Sequence, residues 1–338
     1  MRIAVFSTKA YDRRFLDRAN AAFGHDLTWF EPRLDLTTAP LAEGFDAVCV
    51  FVNDRLDADT LTLLSKGGVR TVALRCAGYN NVDLDAAETL GLDVIRVPAY
   101  SPEAVSEFTV ALLLAMDRNI ARAWARVREN NFSLDGLIGR NLSGRTVGVV
   151  GTGRIGALVA RALRLGFGCE VLAHDVIEDP ALAGMGVRYV DRNTLLRQSD
   201  IVTLHCPLTP ATHHLIDRDA LEAARPGVLI VNTSRGALID TQALIEALKS
   251  RQVGGVALDV YEQEGDLFFE DLSNVIVQDD VFQRLLTFPN VLITGHQAFL
   301  TEEALAAIAE TTLSGLSDIE AGREPSNRVT AALVRPSA

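Results

Sequence analysis

Three short apolar runs late in the chain each lead into a residue able to do chemistry. Val228-Leu-Ile-Val-Asn232 runs into Thr233-Ser234-Arg235-Gly236, Val256-Ala-Leu-Asp259 runs on to Tyr261-Glu262-Gln263-Glu264, and Val291-Leu-Ile-Thr-Gly-His296 ends in a histidine. In an open α/β sheet ligands bind beyond the carboxyl ends of the strands, so polar residues at those ends outrank polar residues elsewhere. An imidazole can give a proton near neutral pH. A carboxylate hydrogen-bonded to it favours the protonated ring and fixes its orientation. A guanidinium holds a carboxylate through two coplanar hydrogen bonds. Together these groups meet the needs of reducing a 2-oxo acid, where the carbonyl oxygen takes up a proton as hydride reaches the carbon. Each also has a plainer reading: a surface ion pair for Arg235, a solvated face for Glu264, a structural hydrogen bond for His296.

A hydride carrier has its own signature near the middle of the chain. The apolar run ending Val147-Gly-Val-Val150 feeds into Gly151-Thr-Gly153-Arg154-Ile155-Gly156, and a helical pattern follows. Strand, glycine turn and helix in that order form a dinucleotide pyrophosphate site. Gly151 makes the turn, Gly153 admits the phosphates, Gly156 lets helix and strand pack closely, and the helix start offers free N–H donors. The next apolar run, Glu170 to His174, ends at Asp175, placed to accept hydrogen bonds from a ribose. Residues 175–180 contain no Lys or Arg to neutralise a 2′-phosphate, which favours NAD (NADH) over its phosphorylated form. His205 ends another run before Cys206-Pro207 and is expected to be structural or to line the nucleotide site; His25, His174, His213 and His214 show no partner pattern.

The elements that position these residues are legible as β-rich runs between helical patterns. Strands are expected at Thr146–Val150, Glu170–His174, Ile201–His205, Val228–Asn232, Val256–Asp259 and Val291–Thr294, and a second alternation at Ile3–Ser7, Ala47–Phe51, Thr71–Arg75 and Asp93–Val97. The expected class is α/β, with two doubly wound parallel-sheet domains, a Rossmann nucleotide domain inserted into a flavodoxin-like substrate domain. The substrate domain is expected at 1–100 and 300–338 and the NAD-binding domain at 101–299. Long helical patterns from about Glu103 to Asn131 and from Glu302 to Ala321 carry the chain out and back. In the second, Leu305, Ile308, Thr312, Leu316 and Ile319 recur at spacings of three and four, and Gly322 ends it.

Composition narrows the classes. The chain has 338 residues, 48% hydrophobic, and a formal net charge of −12, which argues against nucleic acid and anionic membrane surfaces as partners. The stretch from Glu262 to Asp280 is acidic and reads mostly as a solvated loop. The start is too quickly polar for a secretory segment, no apolar run reaches membrane-spanning length, and Cys49, Cys76, Cys169 and Cys206 are scattered without metal spacing. A cytoplasmic location and no metal are expected. Walker, HExxH and EF-hand signatures do not occur.

The chain resembles the D-isomer-specific 2-hydroxyacid dehydrogenase family over nearly its whole length. Beyond the glycine motif, the resemblance is carried by Arg75-Cys-Ala-Gly-Tyr-Asn-Asn-Val-Asp-Leu-Asp85, Val97-Pro-Ala-Tyr-Ser-Pro102, His205-Cys-Pro-Leu-Thr-Pro210, Val231-Asn-Thr-Ser-Arg-Gly-Ala-Leu-Ile-Asp240, Leu258 to Glu270 and Gly295-His-Gln-Ala-Phe299. It implies reversible hydride transfer from NADH to pyruvate, giving D-lactate, in a cleft that closes around both ligands. On that reading Arg235 holds the substrate carboxylate and polarises the carbonyl, His296 donates the proton, and Glu264 pairs with His296. Asp259 shapes the nicotinamide side, and Thr233 and Ser234 line the cofactor near Arg154, Ile155, Cys206 and Pro207. Backbone donors at Ala77 and Gly78 bind the carboxylate from the other domain, with Tyr100 and Phe299 walling a small pocket; Phe299 stands where some relatives carry Tyr and so lacks a hydroxyl. The resemblance also implies a homo-oligomer, dimer or tetramer, with the helical pattern at Glu103–Asn131 as a candidate contact. Other 2-oxo acids (glyoxylate, hydroxypyruvate, branched-chain acids) remain open as substrates. So does a nicotinamide-sensing binding protein on the same scaffold, similar to certain transcriptional corepressors, although the short tail after Gly322 weighs against it.

Overall fold

The computed structural model describes residues 1–333. The chain divides into two compact units, one made of Met1–Ser101 with the chain from Leu300 on, the other of Pro102–Phe299.

In the first unit, β1 (Arg2–Val5), β2 (Asp26–Trp29), β3 (Ala47–Val50), β4 (Thr71–Leu74) and β5 (Asp93–Arg96) form a parallel sheet in the order β2-β1-β3-β4-β5. Strands β3 and β4 are buried throughout, as central strands covered on both faces must be. The helix Glu302–Glu320 packs against Ala10–Asn20. Leu305, Ile308, Thr312 and Leu316 are buried along it as their spacing predicts, Ile319 is half-buried, and Gly322 follows the end at φ +69°. Strand β2 was not expected: Asp-Leu-Thr-Trp is a short edge strand whose side chains are nowhere fully buried, so it lacks the apolar run that marks its neighbours.

In the second unit, β6 (Thr146–Val150), β7 (Glu170–His174), β8 (Arg188–Tyr189), β9 (Ile201–Leu204), β10 (Val228–Asn232), β11 (Val253–Leu258) and β12 (Val291–Ile293) pair in parallel in the order β12-β11-β10-β9-β6-β7-β8. Pleating sends alternate residues to opposite faces. Val147, Val149, Leu229 and Val231 pack under Leu112, Met116, Val159 and Leu163. Val150, Val202, Leu204 and Ile230 pack against Leu195, Leu221, Leu244 and Leu248. The order turns outward in both directions from β6, so the crevice at its carboxyl end is the topological switch point where such sheets bind ligands. Two expectations need correction. The two-residue edge strand β8 is too short to leave a pattern, and the single helix expected near Glu103–Asn131 is two, Pro102–Asp117 and Ile120–Arg128. The break falls at Asn119, whose φ of +53° lies in the left-handed region that Asn tolerates better than most residues.

Candidate active site

Strand β6 ends at Gly151, which turns the chain with φ +89°; a Cβ there would stand 2.5 Å from the Cys206 backbone nitrogen. A Cβ on Gly156 would overlap the Gly151 carbonyl oxygen, so the helix Arg154–Arg161 seats on the turn only because both residues lack side chains. Gly153, just before that helix, has open space where its Cβ would be. Asp175, at the end of β7, accepts from the Thr152 N–H and Oγ1 and, through its other oxygen, from the Val176 N–H at 2.6 Å. Partial burial pushes its pKa up, but hydrogen bonds from Thr152, Ile177 and Val176 outweigh that and leave it below the usual carboxylate range. An ionised Asp175 is an acceptor only, suited to ribose hydroxyls. The residues here therefore fit a dinucleotide: an open phosphate approach over a helix N-terminus, and an acceptor carboxylate followed in the chain by apolar, exposed Val176 and Ile177 rather than by a Lys or Arg.

Strand β10 delivers Arg235 through a loop held by Asn232, a fully buried side chain. Asn232 accepts from the Ser234 N–H at 3.0 Å and donates to the Arg235 carbonyl at 2.8 Å. The Ser234 hydroxyl donates to the Cys206 carbonyl at 2.7 Å, and the Thr233 and Thr109 hydroxyls lie 2.8 Å apart. Gly236 is pressed on the Tyr261–Glu262 backbone so closely that a Cβ would overlap it. The loop of Arg235 and the loop leading to Glu264 thus touch main chain to main chain.

The same second loop meets β12. Glu264 Oε2 accepts from the Tyr261 N–H at 2.9 Å, and Oε1 accepts from His296 Nδ1 at 2.7 Å. That bond leaves Nε2 as the free edge of the ring, and both side chains keep partial exposure, 16% for His296 and 21% for Glu264. The Phe269 ring lies 5.7 Å from the imidazole, centroid to centroid. His296 has φ +54°, a conformation a residue with a Cβ adopts at a cost, and Asp259 holds it there. The Asp259 carbonyl accepts from the His296 N–H at 2.7 Å, while its carboxylate accepts from Thr294 Oγ1, the Gln297 N–H and the Ala298 N–H. Burial pushes the Asp259 pKa up and those donors pull it back only in part.

Of the remaining expected residues, Arg154 is exposed, Ile155 half-buried and Phe299 buried. Cys206 is partly buried, and burial pushes its thiol pKa up to about 11, so it stays protonated at neutral pH; Pro207 follows it. Ala77, Gly78 and Tyr100 lie in the first unit, past the ends of β4 and β5, where the Ala77 carbonyl accepts from Arg96 Nη1 at 2.8 Å. Sequence reasoning missed the anchor beneath that loop. Arg75 is buried, donates from Nε to Asp12 Oδ1 at 3.1 Å and from Nη2 to the Ser7 carbonyl at 2.8 Å. A cation two residues before Ala77 was visible, but its partner lies far off in the chain. His205 is partly buried, with Nε2 2.8 Å from Thr203 Oγ1.

A Rossmann sheet carrying this glycine turn, with an ionised carboxylate at the end of the next strand, is the architecture of a dinucleotide-binding α/β protein. Comparison with known proteins supplies the rest. The model of the D-isomer specific 2-hydroxyacid dehydrogenase NAD binding domain matches residues 110–298. The D-lactate dehydrogenase of Escherichia coli K12 is 53% identical over 329 residues, 97% of this chain and 100% of that protein. A 2-hydroxyacid dehydrogenase homolog of Schizosaccharomyces pombe is 54% identical over 318 residues, 94% of this chain and 96% of its own length. Among solved structures, apo D-lactate dehydrogenase from Escherichia coli superposes with a TM-score of 0.89 at 50% identity, covering 98% of this chain and 100% of that one. D-lactate dehydrogenase from Aquifex aeolicus, complexed with NAD and lactic acid, does so with a TM-score of 0.86 at 32% identity, covering 99% and 100%. The chain belongs to the D-isomer specific 2-hydroxyacid dehydrogenase family. It is an NAD-dependent oxidoreductase of 2-hydroxy acids.

Proposed function

We propose that this enzyme reduces pyruvate to D-lactate, that His296 is the proton donor, and that Arg235 binds the substrate carboxylate. The observation that carries the reading is the His296–Glu264 pair, with Nδ1 engaged at 2.7 Å and Nε2 left for a substrate oxygen. NADH, when bound, supplies the hydride. Glu264 keeps the imidazole in one orientation through Nδ1, and His296 passes its proton to the carbonyl oxygen. Arg235 presents a planar fork to the carboxylate. Asp259 positions His296 through the main chain. Arg154, Ile155, Cys206, Pro207, Thr233 and Ser234 line the nucleotide, the Ala77 and Gly78 N–H groups and Tyr100 serve the substrate, and Phe299 limits its side chain. The high identity to proteins named D-lactate dehydrogenase supports pyruvate as the preferred acid.

The catalytic unit is proposed to be Pro102–Phe299 for the nucleotide and the remainder for the substrate, working in the cytoplasm as a homo-oligomer. The helix Ile120–Arg128 has no buried residue, and Ile120, Trp124 and Val127 are more than half exposed on it, which supports a second copy of the chain as its cover. Among the described residues no helix is long and apolar enough to cross a membrane. The test of substrate is NADH oxidation followed by absorbance with pyruvate, glyoxylate and 2-oxoisocaproate. Pyruvate is expected to give the highest kcat/KM; a higher value for either rival reassigns the substrate, and no oxidation with NADH still bound replaces the reductase with a nicotinamide sensor.

A further inference from the structure

Two imidazoles and a carboxylate stand together on a part of the second unit that the proposed reaction leaves unused. His213 and His214 lie on the loop after β9, and Glu262 lies on the segment after β11. One ligand atom from each, taken together, lie within 4.8 Å of one another. His214 Nε2 is 2.6 Å from Glu262 Oε1, and the two histidine rings stack with centroids 3.9 Å apart. The other Glu262 oxygen accepts from Thr241 Oγ1 at 2.8 Å and from its N–H at 3.4 Å.

The backbone brings consecutive side chains to one place where an extended chain would send them apart. His214 has φ +49°, a left-handed conformation uncommon for a residue with a Cβ. It is fixed by its N–H donating to the Ala237 carbonyl at 2.8 Å, and the His213 N–H donates to the Thr209 carbonyl at 2.9 Å.

From this cluster we infer that His213, His214 and Glu262 form a binding site for a divalent transition-metal cation of the Zn²⁺ class. Two imidazole nitrogens and one carboxylate oxygen suit Zn²⁺, Co²⁺ and Ni²⁺, whereas Mg²⁺ and Ca²⁺ favour all-oxygen sites. Metal–ligand bonds of about 2.0–2.2 Å put tetrahedral ligand atoms roughly 3.3–3.6 Å apart, within a small rotation of the exposed His213 side chain. An imidazole nitrogen binds a metal through its lone pair, so on binding His214 presents Nε2 unprotonated, its ring keeping or taking the proton on Nδ1, and the ion takes the place of the hydrogen bond between Nε2 and Glu262 Oε1. Thr241 already orients the carboxylate from behind, the role outer partners play in metal sites. Three protein ligands leave the fourth position to water. Because Gly236 is pressed on the Tyr261–Glu262 backbone, the ion ties the loop after β9 to the segment that the Arg235 turn rests on.

The site uses none of the residues proposed for the chemistry, and its test does not use activity. Metal-free enzyme without nucleotide is titrated with Zn²⁺ by calorimetry, and thermal unfolding is followed with and without the ion, for the wild type, His213→Ala, Glu262→Gln and His296→Ala. Among the described residues no side-chain hydrogen bond is made by His213, so its variant isolates the ligand. Outer-shell changes alone weaken metal sites by about 10–100-fold, so losing a ligand is expected to weaken binding at least that much. The expected result is one Zn²⁺ per chain with a raised Tm in the wild type and His296→Ala, and both effects lost in His213→Ala and Glu262→Gln. No Zn²⁺ binding by the wild type, or His213→Ala binding as the wild type does, overturns the site. Binding lost only in His296→Ala moves the ion to the His296–Glu264 pair and overturns it equally.

Discussion

Substituting Gly153 by Ala separates nucleotide binding from folding at one atom. Gly153 has φ −63° and ψ −165°, extended backbone that Ala adopts freely, and no heavy atom lies within 4 Å of the added Cβ. Restricting the unfolded chain stabilises by about 0.4–1 kcal/mol, while Ala ranks well below Gly as an N-cap and costs about 0.5–1 kcal/mol there. The two nearly cancel, and Tm is expected to move by no more than about 4 °C. Binding is different. A methyl carbon holds an oxygen off at about 3.5 Å, whereas an N–H···O hydrogen bond needs about 2.9 Å. The pyrophosphate therefore loses one or two charge-assisted bonds of about 1.5–3 kcal/mol, and the NADH Kd is expected to rise by about 10–100-fold. Fluorescence titration with NADH and a melting curve on the same preparations measure both. Gly156→Ala is the contrast, since its Cβ meets the Gly151 carbonyl, which cannot swing aside; it is expected to lose Tm as well as NADH. If Gly153→Ala binds NADH like the wild type at unchanged Tm, the helix Arg154–Arg161 does not receive the phosphates.

Three further outcomes are expected. Arg235→Lys removes the planar fork and should raise the pyruvate KM while lowering kcat; unchanged steady-state constants would remove Arg235 from the substrate. Glu264→Gln keeps a hydrogen-bonding side chain beside His296 but removes the charge, and kcat should fall by at least about ten-fold with NADH affinity unchanged; full turnover would break the pair's assignment. Burial lowers the His205 pKa to about 3, against about 6.5 in an unfolded chain. Between those values the unfolded state takes a proton that the native state refuses, so this residue removes stability as pH falls from 6.5 towards 3. The slope is about 1.4 kcal/mol per pH unit, or roughly 2 kcal/mol by pH 5. Urea unfolding at pH 7 and pH 5 should show that slope reduced in His205→Asn, and equal slopes would mean the ring is not held neutral.

Much of this architecture is written locally. Strands β6, β7 and β10 carry short apolar runs at their centres because parallel strands are covered on both faces, and the glycine turn is legible because its three glycines fall within six residues. Edge strands β2 and β8 are not, since a half-covered strand has no need of such a run. The break at Asn119 falls in the short polar stretch Asp117-Arg118-Asn119, which a helix can also carry, and depends on one residue's backbone. The three residues proposed for the chemistry, Arg235, Glu264 and His296, were singled out from strand ends alone, and the fold joins two of them, His296 and Glu264, in a hydrogen bond. His213 and His214 were not, because what gives them a role, Glu262 and the Thr241 behind it, comes from other loops and meets them only in the fold.

The backbone of His296 shows how the fold holds a group where the reaction is proposed to need it. A left-handed residue with a Cβ costs about 1–3 kcal/mol, and Asp259 beside it is a fully buried carboxylate, itself costly. Neither is tolerable alone. The carboxylate recovers its solvation from Thr294, Gln297 and Ala298, the residues that flank His296, and this closes the segment 294–298 into a ring around one anion. The left-handed turn at 296 lets donors on both sides reach it. An extended His296 would carry the Gln297 and Ala298 N–H groups away and leave the anion bare, so the strain in one residue and the burial of the other are held by the same hydrogen bonds. The ring places Nδ1 against Glu264 without asking the side chain to find it.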